Sequence, residues 1–80
     1  MKPFKKYDPK TFKTKRLLCG LTMQELADIC RINRQTVGNI EHGRVESGAS
    51  VTLVGLALDI ITEEKGLTEL FEALEEGSLL

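Results

Sequence analysis

The sequence predicts an all-α fold, a compact bundle of five short helices, and three observations carry that expectation. Apolar residues recur at intervals of three and four through most of the chain, the period of a helix with one buried face. Residues that start or stop helices stand at the edges of those segments. Two of the segments are separated by too few residues to form a loop, so they must pack directly against each other. The chain has 80 residues, 41% hydrophobic and 29% charged, which is enough for one small globular domain.

Asp8 followed by Pro9 reads as an N-cap and first helical position, because proline has no amide to lose there. The first helix is expected to run to about Cys19, with Phe12, Arg16 and Cys19 on one face and Leu17 beside it. Lys10, Lys13 and Lys15 are expected elsewhere on the surface. Gly20 supplies a left-handed end. Thr22 and Glu25 then form a capping box, the hydroxyl accepting from the Glu25 amide while the carboxylate reaches back to the Thr22 amide. Leu26, Ala27, Ile29 and Cys30 continue as an apolar stripe, and the helix should stop near Cys30. Asn33 is a good N-cap for a third helix over residues 34–42. Two helices joined this tightly make a helix-turn-helix.

Residues 44–49 lack periodicity and read as a loop, with Ser50 capping the next element. The run VTLVGLALDII at 51–61 suits either a central strand or a helix; a helix agrees better with its neighbours. Placed as a helix, Leu53, Leu56, Ala57 and Ile60 are expected inward. Val54, Leu58 and Ile61 would then leave an exposed apolar patch, to be covered by the C-terminal segment or a second subunit. Leu67, Leu70, Phe71 and Leu74 define a fifth amphipathic helix, with Glu69, Glu72, Glu75 and Glu76 outside and Gly77 as its stop. The expected organisation is therefore a basic arm at 1–8, one domain at 9–76 and a tail at 77–80. Phe4 or Tyr7 of the arm would pack on the domain or on a partner. The arm's lysines have two readings, a phosphate-tracking extension or a solvated terminus.

The third helix carries the most chemistry. On a helical wheel, Arg34, Gln35, Gly38, Asn39 and His42 fall within about 140°, opposite Thr36, Val37 and Ile40. Arginine donates in bidentate fashion to guanine, and glutamine and asparagine pair in the same way with adenine in the major groove. A solvated polar face is the plainer reading of the same pattern. Gly38 costs roughly 1 kcal/mol of helix propensity relative to alanine; close approach to bases or phosphates would account for it.

The net charge of −1 conceals an asymmetry: residues 1–48 hold ten lysines and arginines against five acids, and residues 49–80 hold one against seven. The basic half contains the helix-turn-helix, where a phosphate backbone would be met. No apolar run reaches the 18 or so residues of a membrane span, and no apolar region follows the basic N-terminus as in a signal peptide. A cytoplasmic protein is expected. Cys19 and Cys30 read as buried thiols, since they and His42 lack a fourth zinc ligand at usual spacing. No cofactor is expected, and no enzyme: there is one histidine, no paired carboxylate in an evident cleft, no phosphate-binding glycine loop and no nucleophile beside a base.

With these elements placed, GLTMQELAD at 20–28 and NRQTVGNIEHG at 33–43 resemble the helix-turn-helix of the Cro and phage-repressor family, also called the xenobiotic-response-element type. The resemblance spans roughly residues 12–71 and implies a lambda-repressor-like bundle whose third helix enters the major groove. It implies base-reading roles for Arg34, Gln35, Gly38 and Asn39. Thr22, Gln24, Arg31, Asn33, His42 and Arg44 are the candidates for the DNA backbone, with Arg16 and Glu41 an internal salt bridge. Two residues depart from the family pattern. Met23 stands where a glutamine commonly touches the DNA backbone. Arg31 stands where the turn usually has glycine, so the turn either differs or is strained; Arg31 there either meets a phosphate or faces solvent. The segment from Ser50 onward resembles, less specifically, small regulators encoded beside a toxin.

The function expected is sequence-specific DNA binding by a repressor-like transcriptional regulator. The partners expected are double-stranded operator DNA, a second copy through helices four and five, and a toxin if the chain is an antitoxin; no membrane is expected. The alternative is a protein-interaction module that uses a degenerate helix-turn-helix as a docking surface.

Overall fold

Each helix begins where the chain offers an acceptor or a turn for its first free amides. A computed structural model describes residues 7–75. A short 3-10 turn, Pro9–Thr11, leads into α1 (Phe12–Leu18), followed by α2 (Met23–Cys30), α3 (Arg34–Glu41), α4 (Ala49–Glu64) and α5 (Thr68–Glu75), with no strand among the described residues. Expectations for Phe4, the arm's lysines, Glu76, Gly77 and the tail lie outside the described residues, as do those for the side chains of Leu74 and Glu75.

Asp8 Oδ1 accepts from the Lys10 amide at 3.0 Å, but the turn it caps is 3-10, and the α-helix starts only at Phe12. At α2 both halves of the capping box are present: Glu25 N donates to Thr22 Oγ1 at 3.0 Å and Thr22 N to Glu25 Oε1 at 2.9 Å. Asn33 Oδ1 accepts from Gln35 N at 2.9 Å and starts α3. Ser50 does not cap α4. Gly48, at φ 111°, turns the chain into the helix before Ser50 is reached, and Thr52 Oγ1 donates to the Gly48 carbonyl at 3.2 Å.

Between α2 and α3, Arg31 adopts the left-handed conformation, φ 56° and ψ 45°, and is the only non-glycine with positive φ among the described residues. That geometry lets Ile32 N reach the Ala27 carbonyl at 3.0 Å, which closes the end of α2. The turn is thus the one a glycine would make, held by a residue that pays for it in Cβ crowding.

The core is built from Phe12, Leu26, Val37, Ile40, Val54 and Leu58, all fully buried. Ile29, expected in the α2 stripe, is 51% exposed, and Leu17 projects into solvent. Cys19 and Cys30 are both buried and free, and burial pushes the Cys30 thiol above its ordinary range. No helix among the described residues is long and apolar enough to cross a membrane.

The face of α4 is the main correction. Val51, Val54, Gly55, Leu58 and Thr62 are buried, while the residues expected inward, Leu53, Leu56 and Ile60, are 40%, 48% and 49% exposed; Ala57 lies at the edge of the core. Gly55 decides the orientation, since a Cβ there would overlap the Tyr7 ring. Tyr7 also meets Phe12 edge to face, with centroids 6.5 Å apart. Thr62 tolerates burial because its hydroxyl donates to the Leu58 carbonyl one turn back. Lys15, expected on the surface, is buried as well: its Nζ lies 3.8 Å from Asp59 Oδ1 and 5.7 Å from the centroid of Phe71, the residue that seats α5 on the bundle.

Arg16 and Glu41 join α1 to α3. Arg16 Nε donates to Glu41 Oε2 at 2.7 Å and Nη2 to Oε1 at 3.1 Å, and Nη1 donates to the Leu21 carbonyl at 2.9 Å. The two side chains are 8% and 4% exposed, so solvent screens the pair little.

Glu41→Ala is expected to cost about 3 kcal/mol of unfolding free energy in urea, because it leaves the Arg16 charge buried without its partner. The double variant Arg16→Met/Glu41→Leu should lose less than Glu41→Ala alone; an unshifted Glu41→Ala transition would contradict this account. Arg31→Gly should raise stability by up to about 1 kcal/mol, the relief of the left-handed strain net of glycine's entropy. A lowered thermal midpoint for Arg31→Gly would mean that the arginine side chain makes a compensating contact.

Candidate nucleic-acid interface

The helix-turn-helix presents one side of α3 to solvent because the other side is used up in the core. Val37 and Ile40 are 0% and 1% exposed, which fixes the rotation of the helix and turns Arg34, Gln35, Gly38, Asn39 and His42 outward. Arg34 and Gln35 are exposed, and Gly38 and Asn39 are half-buried.

These residues line a single shallow depression with Met23, Asn33, His42 and Arg44. No carboxylate lines it, and two arginines do. A second cleft, between the N-terminal turn and α3, is lined in part by Asp8, Glu41 and Glu46, and its acids make it a poor seat for a phosphate.

The hydrogen bonds inside the depression determine what each group still offers. Arg44 Nη1 donates to Asn39 Oδ1 at 3.2 Å. Since a guanidinium only donates, the atom facing Arg44 is the oxygen, and the Asn39 amide nitrogen remains for an outside acceptor. His42 Nδ1 lies 2.7 Å from the Gly38 carbonyl, so it carries the proton and leaves Nε2 for an outside partner. The His42 amide also donates to that carbonyl, at 2.9 Å.

The backbone-contact candidates are distributed around this centre. Asn33 and Arg44 border the depression, whereas Thr22, Gln24 and Arg31 do not line it. The Thr22 oxygen is occupied by the Glu25 amide, but its own proton is free to be donated. Gln24 Nε2 donates to Asp28 Oδ1 at 2.9 Å, which turns it along α2. Arg31 is exposed at the turn. Arg16 and Glu41 stay in the interior, binding each other.

Sequence reasoning marked Met23 only as a departure from a backbone contact and missed its place beside Gly38. It is half-buried against the core, and its Sδ would lie 3.9 Å from a Cβ added at Gly38. A wheel drawn for one helix cannot show this, because Met23 belongs to α2 and reaches the face of α3 from the neighbouring helix.

No curated protein and no solved structure matches the chain. A helix-turn-helix family model matches residues 12–56, from the first residue of α1 into α4, which is more than half of the chain. That span holds the whole depression and the Arg16–Glu41 pair. The chain therefore belongs to the helix-turn-helix family of Cro and phage-repressor type, whose members are DNA-binding regulatory domains.

Proposed function

We propose that the chain is a sequence-specific, repressor-like transcriptional regulator that reads the major groove of an operator with α3. The observation that carries this reading is the convergence of Arg34, Gln35 and Asn39 on one carboxylate-free depression that Arg44 and His42 complete. Arg34 is the donor suited to guanine, and Gln35 and Asn39 carry the amides that pair with adenine. Arg44 and Asn33 at the rim, His42 through Nε2, and Thr22, Gln24 and Arg31 farther out are the groups for phosphates. Gly38 fits the same reading: the nearest atom to an added Cβ is at ordinary contact distance, so nothing inside the protein requires a glycine. Space for the bases does.

The exposed stripe of Leu53, Leu56 and Ile60 on α4, with Leu70 on α5 also exposed, supports reading the regulator as a homodimer. The described chain measures 31 Å across its two longer axes, which suits half-sites roughly 34–36 Å apart. The same stripe in the acidic half favours a second reading, in which it seats a protein partner, as a toxin would be seated by an antitoxin.

Gly38→Glu should abolish operator binding in a gel-shift assay while leaving the thermal unfolding midpoint near that of the native chain. Native binding should weaken with salt at a log–log slope of about −0.9 per phosphate contacted; salt-independent binding, or none, would favour the docking reading. Sedimentation is expected to show a dimer at tens of micromolar. A monomer there would reassign the α4 stripe to a different partner.

A further inference from the structure

Within an otherwise polar face lies a spot with no proton to donate and only a weak sulfur acceptor. The Gly38 carbonyl already takes two donors from His42, its amide at 2.9 Å and Nδ1 at 2.7 Å. What Gly38 presents outward is its methylene. Beside it stands the Met23 thioether, its Sδ 3.9 Å from the Gly38 Cβ position. Arg34, Asn39 and Arg44 line the same depression, so the spot is a small apolar seat in a face of donors.

Of the groups that base pairs expose in the major groove, one is apolar, the C5-methyl of thymine. We infer that Met23 is a specificity-determining residue and that Met23 and Gly38 together seat a pyrimidine C5-methyl. This rests on the DNA-binding reading above and adds to it the group recognised. A phosphate is the wrong occupant, because a thioether has no proton to give it. A cytosine or uracil ring would leave the seat empty, and the flexible, polarisable thioether shapes itself to a methyl. Thymine and 5-methylcytosine share the methyl, and the test separates them.

The experiment selects operator duplexes from a random library with the full chain, then replaces each thymine in turn by deoxyuridine. One thymine in each half-site should lose about fourfold in affinity, the worth of one buried methyl. At that position a C·G pair should bind more weakly than T·A, and 5-methylcytosine should recover part of the loss; recovery equal to thymine would make the seat a reader of methylation as much as of sequence. In Met23→Gln the ratio of thymine to deoxyuridine affinity should fall to about one. Because that ratio is taken within one variant, it is unaffected by any loss of folded fraction. If every thymine in a well-bound operator tolerates deoxyuridine within twofold, or if Met23→Gln keeps the native ratio, the methyl seat is wrong while DNA binding stands. If the selection enriches no duplex, both fall together.

Discussion

The two-pronged contact between Arg16 and Glu41 is the constraint on which the placement of α3 depends. An eight-residue helix is too short to persist alone in water, so its orientation comes from what it is fastened to. Val37 and Ile40 fix its rotation by burial. Burial is non-directional, however, and would tolerate sliding along the axis. The guanidinium fork does not, because it meets both carboxylate oxygens while its third nitrogen holds the Leu21 carbonyl just ahead of α2. One side chain therefore sets the position of α3 against both α1 and the entry to α2. The separation between Met23 and Gly38 depends on that setting.

The elements were legible in the sequence because their ends are local chemistry. Thr22, Glu25 and Asn33 act on amides two or three residues away, and nothing distant is needed to recognise them. The orientation of α4 was not legible, for an equally physical reason. Its sequence is apolar nearly all round, so periodicity cannot choose a face, and the choice is made by Gly55 accepting a ring from a residue 48 positions earlier. Lys15 misled in another way. Its stem is apolar and its head is charged, so a wheel counts it as surface, yet the whole side chain is buried, with Phe71 of α5 and Asp59 both standing near the head. At the interface, the outward residues of α3 could be read from one helix, but the contribution of Met23 required knowing which helix lies beside it.

The two halves of the chain divide the physical work. The basic half supplies the depression and its donors. The acidic half supplies α4, whose inner face completes the core and whose outer face is a stripe of leucine and isoleucine. The family match ends at residue 56, within that helix. The strained Arg31 sits in the basic half as well, exposed at the turn between α2 and α3.

Tyr7 has one further consequence. Its ring is wedged against Gly55 and Phe12, and it borders the cleft beside Gly43 at the end of α3. One ring thus ties α1, α4 and the end of α3 together, so none of the three can shift without disturbing the other two.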